Sequence, residues 1–145
     1  MLAAAGAARA GPRVTSFECQ IGSGRGIYPV RADELESDDE LDCRAAVTEL
    51  GGRGPADLVA ELRLIPRRGP VRTVASVALE AATPGRARTP EMYVSHSTWA
   101  SAIEWRRLRG PRLELLLCIL ERPAPGTRTW RIVSTLKLVL GERPR

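Results

Sequence analysis

The chain has 145 residues, of which 43% are hydrophobic and 27% charged, and its formal net charge is +5. That length suits one domain, and the balance is that of a folded globular chain rather than a disordered, collagen-like or coiled-coil one. No stretch approaches the ~20 apolar residues of a membrane-crossing helix, since the run Leu115–Leu120 is only strand-sized.

Residues 1–13 are expected to form a disordered tail or the remnant of an export signal, and residues 14–145 a single β-sandwich domain. The segment Met1–Pro12 is low in complexity, and Ala8-Arg9-Ala10 fits the small-x-small pattern before a cleavage point. It lacks a basic leading region and its apolar stretch is weak, so export and a soluble intracellular location both stay open.

From Val14 onward the dominant period is two. Thr15, Phe17, Cys19 and Ile21 share one face of a first strand. The glycine-rich Gly22–Gly26 breaks it, and Ile27–Val30 reads as a short edge strand because Pro29 cannot donate to a ladder. After an acidic loop, Leu41, Cys43, Ala45 and Val47 form the apolar face of a second strand. A third runs over about 57–65, with Leu58, Ala60, Leu62 and Leu64 on one side. The chain then turns through Pro66–Pro70 and returns as a fourth over 71–81.

Between Met92 and Arg109 the pattern is mixed. Ser101-x-x-Glu104 resembles a capping box and predicts a short helix, while Ile103 and Trp105 also fit a strand. Arg112–Glu121 is apolar on both sides in its middle, as expected of a strand covered on both faces. After a turn at 122–126, Trp130, Ile132, Leu136, Leu138 and Leu140 share one face of a last strand, predicting a terminal hairpin. Leu115, Leu117, Ile119, Ile132, Leu136 and Leu138 are the predicted core of that hairpin. The fold class is therefore all-β: an antiparallel β-sandwich or flattened barrel of six to eight strands, with at most one or two short helices.

Candidate chemistry is sparse. Three cysteines, Cys19, Cys43 and Cys118, show no metal-ligand spacing. Cys19 and Cys43 fall on apolar faces of neighbouring strands and are a candidate disulfide, in keeping with an exported protein. Gly22–Gly26 carries Arg25 but lacks the helix and the Lys-Ser/Thr pair of a phosphate loop, so a flexible turn is the plainer account. Asp38, Asp39, Glu40 and Asp42 are dense enough to suggest a cation site, yet no calcium-loop pattern accompanies them, and a solvated loop explains them. His96, the one histidine, sits between Ser95 and Ser97, but no nucleophile elbow or oxyanion loop marks a triad. No catalytic residue, metal or cofactor is expected.

The positive charge offers one further candidate. Of 22 basic residues all but Lys137 are Arg, and Asn is absent, which a very GC-rich coding sequence produces by drift. Arg106, Arg107, Arg109 and Arg112 nonetheless cluster around Trp105, and Arg67, Arg68 and Arg72 around one turn. Guanidinium forks beside an indole are what an anionic polymer would want. The expected function is a non-catalytic β-sandwich module that binds a protein partner or surface, or self-associates, in an accessory or structural role. The alternative is an Arg-rich structural protein that binds RNA or an anionic membrane surface, as a small viral matrix or coat-like protein would.

Overall fold

The computed structural model describes residues 11–21, 35, 39–106 and 110–141. The strands are β1 (Arg13–Ile21), β2 (Leu41–Thr48), β3 (Leu58–Ile65), β4 (Arg72–Ala78), β5 (Glu80–Ala81), β6 (Arg86–Arg88), β7 (Met92–Val94), β8 (Glu104–Arg106), β9 (Gly110–Glu121) and β10 (Arg131–Leu140). One helical turn, α1 (His96–Trp99), continues as a 3-10 turn over Ala100–Ala102, and a second 3-10 turn spans Pro55–Asp57. Among the described residues no helix is long and apolar enough to cross a membrane.

The strands form two antiparallel sheets of five that face each other without closing into a barrel. The first runs β1-β2-β6-β5, with β7 also on β2; the second runs β10-β9-β3-β4, with β8 also on β9. The mainly-β class and the single short helix agree with the sequence. The ten strands exceed the expected six to eight because β5, β6, β7 and β8 are pieces of two or three residues. The predicted capping box does not form: the helix starts earlier, at His96, and Glu104 opens β8. The predicted edge strand at 27–30 and the glycine-rich 22–26 lie outside the described residues.

Alternation builds the core directly. Leu41, Cys43 and Val47 of β2 and Leu58, Ala60, Leu62 and Leu64 of β3 are buried, with Asp42 the one buried charge between them. On β9 the inner-face residues Leu113, Leu115, Leu117 and Ile119 are all fully buried. Each such leucine contributes about 1.5–3 kcal/mol through burial. On the outer face of β9 Cys118 and Leu120 are buried too, while Arg112, Glu114 and Leu116 are half-buried. Cys118 lies in register between Glu61 of β3 and Thr135 of β10, beside the Glu61–Arg63 ion pair at 2.7 Å. Burial pushes the Cys118 thiol up from its ordinary value, so it stays a packed, unreactive thiol.

Among the described residues register breaks occur in three ladders, one of them between β3 and β4 at Leu62/Arg63, and the other two shift predicted core residues. A register break between Val14 and Ser16 puts Val14, not Thr15, against the core, and the Thr15 hydroxyl donates to Ala46 O at 3.3 Å. In β10 a break between Ile132 and Ser134 places Ile132 opposite outer-face Leu120. The predicted burial of Ile132 and Leu136 is thereby corrected: they are 47% and 40% exposed. Ile132 has moved to the outer face. Leu136 pairs with buried Leu117 but stands on the last strand of the sheet, with no neighbour beyond it.

Two small devices hold the short strands in line. β6 and β7 both pair with β2, and Thr89 bridges them: its N–H donates to Ala45 O, and its hydroxyl oxygen accepts from Ala45 N–H, each at 2.9 Å. Trp99, fully buried, donates its indole N–H to Asp39 O at 3.2 Å and so ties α1 to the entry of β2.

Candidate functional site

Among the described residues six large hydrophobics are exposed, and three of them, Trp130, Ile132 and Leu136, lie on or beside β10, while Val71, Tyr93 and Trp105 lie elsewhere. Trp130 is 38% exposed just before the strand, and Ile132 and Leu136 are exposed within it. The Arg122 guanidinium lies 5.6 Å from the centre of the Trp130 ring, a cation–π contact that keeps the indole at the surface. Behind Ile132, Leu120 supplies a buried apolar base on the same face.

β10 pairs only with β9, and among the described residues no hydrogen bond reaches its other side. β1, the edge of the opposite sheet, runs close to β10 without forming a ladder to it. An unpaired strand edge exposes a row of N–H and C=O groups, and folded proteins commonly guard such edges with charge. Here both cations of the strand are drawn back across the sheet to β9. Lys137 Nζ lies 2.6 Å from Glu114 Oε1, and Arg131 pairs with Glu121 at 3.0 Å. The bonds from Arg131 and then Arg53 hold the Glu121 carboxyl below its ordinary value, so the pairing persists at neutral pH. Both cations stay more than half exposed, but the remaining side chains of the strand are apolar or hydroxyl.

The predicted arginine patch is placed as follows. Trp105 is 61% exposed in β8, opposite Pro111 of β9. Arg107 and Arg109, and the side chain of Arg106, lie outside the described residues. Arg112 does not point into solvent. Its side chain is only 16% exposed and pairs with Glu114 at 3.0 Å. Arg67 and Arg68 sit exposed in the β3–β4 connection, and Arg72 opens β4. Counting Arg112, seven of the described arginines (13, 44, 53, 63, 88, 112 and 131) are engaged by glutamates, so much of the basic charge is locally balanced.

Cys19 and Cys43 face each other in the β1–β2 register and are joined by a disulfide. His96 meets Trp99 edge-on, with ring centres 5.0 Å apart, while Ser95 bonds to Ser97 and Thr98; no hydrogen bond links a serine to the imidazole. Among the described residues no group of three or more His, Cys, Asp or Glu converges as a metal set. Asp38 falls outside the described residues.

Sequence reasoning missed two features. It placed Ile132 and Leu136 in the core beside Leu138, which is buried, because one-face alternation reveals neither a bulge nor a sheet edge. It also missed a cleft beneath the β3–β4 connection. No protein-family model, curated protein or solved structure matches the chain.

Proposed function

We propose that the chain is a non-catalytic β-sandwich module that binds a protein partner through the β10 side of its second sheet, in an accessory or structural role. The observation that carries this reading is the unpaired edge of β10, with Ile132 and Leu136 exposed and its two cations turned back onto β9. An incoming strand would continue the ladder, and the apolar side chains would supply the contact area. A second copy of the chain is the simplest partner to test.

Sedimentation of the wild type over a wide concentration range should show reversible association, and a double change, Ile132→Glu with Leu136→Glu, should abolish it while leaving the far-UV spectrum intact. If the wild type stays monomeric, a photo-crosslinking side chain placed at Leu136 should still capture a discrete protein in the native host. Failure of both would refute the reading.

The exposure of Trp105 supports a second reading, an Arg-rich surface that binds RNA or an anionic membrane. Such binding should fall steeply with salt, because each neutralised phosphate releases counterions. Retention of single-stranded RNA or anionic vesicles by the wild type, lost on changing Trp105, Arg67, Arg68 and Arg72 to Ala, would displace the protein-binding reading.

A further inference from the structure

The β3–β4 connection and the 3-10 turn after α1 enclose a half-open cleft of about 430 Å³ at one end of the sandwich. Its walls are carbon: Leu64, Val71, Ala102 and the two prolines of the connection, Pro66 and Pro70. Its polar groups are Ser101 and two arginines, Arg68 and Arg72, and no acidic side chain lines it among the described residues.

Arg72 pairs in register with buried Leu64, which places it on the core-facing side of β4 at the point where the sandwich opens. Arg72 is exposed at this open end, whereas Arg63 and Arg112 on the other face of the sheet are half-buried and each meets a glutamate. Arg72 instead donates to Ser101 Oγ at 3.2 Å and to Thr98 O at 3.4 Å, both neutral acceptors. Arg68, which lines the same cleft, has no ion pair among the described residues. The cleft therefore combines two uncompensated positive charges with an apolar wall. Its volume lies within the range of small-molecule sites, roughly 300–1,000 Å³.

We propose that this cleft binds a small amphiphile with a single anionic head, the head held by Arg72 and Arg68 and the apolar body lying on Leu64, Val71 and Ala102. The charge excess selects an anion. The carbon walls disfavour a bare inorganic ion, which would forfeit hydration and gain no contact there. The flat guanidinium forks suit a carboxylate or sulfate head. The site is built from β3, β4 and residues 101–102 and does not involve β10, so it stands independently of the protein-binding reading.

The probe is decanoate, titrated calorimetrically into the folded chain below its micelle-forming concentration, with acetate and decanol as comparators. Saturable binding of one decanoate per chain is expected, with both comparators weaker by about tenfold or more, since each lacks half of the recognition. Arg72→Met keeps the aliphatic stem, and Arg68→Ala removes the second charge; each should weaken decanoate by about tenfold or more. Arg86→Ala, an exposed arginine on β6, should leave affinity unchanged. Val71 is 49% exposed, so Val71→Glu should fold normally and abolish binding by placing a negative charge on the wall. The proposal is overturned if the wild type shows no saturable decanoate binding, if decanol binds as well as decanoate, or if neither arginine change alters affinity.

Discussion

Leu117 and Leu136 face each other across the β9–β10 ladder, and truncating each in turn separates the contribution of burial from that of strand position. Leu117 is fully buried at the centre of the second sheet, with Leu62 of β3 on its other side. Leu117→Ala removes its transfer energy and leaves a cavity that neighbouring ladders cannot collapse, a cost of about 2–5 kcal/mol. Leu136 is 40% exposed, so solvent fills the space left by Leu136→Ala and the cost should be about 1 kcal/mol. At roughly 2 cal/mol/K of unfolding entropy per residue, a domain of this length loses about 3–4 °C of melting temperature per kcal/mol. The expected drops are then about 7–18 °C for Leu117→Ala and about 3 °C for Leu136→Ala. Urea denaturation followed by circular dichroism gives the same comparison as a midpoint shift at constant slope. Equal costs for the two variants, or a cost below about 1 kcal/mol at Leu117, would show that β9 is not central or that β10 is not an edge.

Other perturbations test separate parts of the fold. Replacing both Cys19 and Cys43 with Ala should cost about 3 kcal/mol, since the bond closes a loop whose ends are 24 positions apart; reductant should produce the same loss in the wild type and none in the variant. Asp42, with Oδ1 unpartnered, has its carboxyl raised above the ordinary 3.8, first by burial and then by Glu40 and Glu91. The folded state therefore holds this proton more tightly, and stability falls as pH rises from 3.8 through the raised value. Asp42→Asn should melt higher than the wild type at neutral pH, with the gain shrinking as pH falls through the raised value and gone once pH is below 3.8; a gain that does not change with pH would refute this account. Gly141 has φ +79°, and a Cβ there would lie 2.2 Å from Leu35 Cδ1 and 3.0 Å from Pro111 O. Gly141→Ala should thus destabilise by more than about 1 kcal/mol, measurable in the same urea assay.

The strands that carry the core were legible because burial on one face imposes a period of two, and Leu58, Ala60, Leu62 and Leu64 keep that period without interruption. The short strands β5 to β8 were not, because two or three residues cannot establish a period. Their pairing depends on what β2 and β9 offer across the sheet. The breaks after Val14 and Ile132 were also invisible: a bulge inserts one residue, and nothing in the composition of either strand announces it. The site followed the same division. Arginines clustered in sequence were visible, but Arg112 turned out to be engaged by Glu114, a neighbour two positions along the same strand. That exposed Arg72 shares a face with buried Leu64 needed the register of β4 against β3. Whether Ile132 and Leu136 belong to a core or a surface depends on which strand ends the sheet, a property of topology rather than of those residues.

The disulfide sits two residues from the end of β1 and two from the start of β2, at the neck of the connection between them. The register of the pair is thus locked by a covalent bond as well as by its ladder. A protease cut there would yield two polypeptides that migrate as one molecule until a reductant parts them. The connection is not separate from the fold, because Leu35 within it is buried in the core and Asp39 O accepts from Trp99, so the covalent tie and these contacts act together.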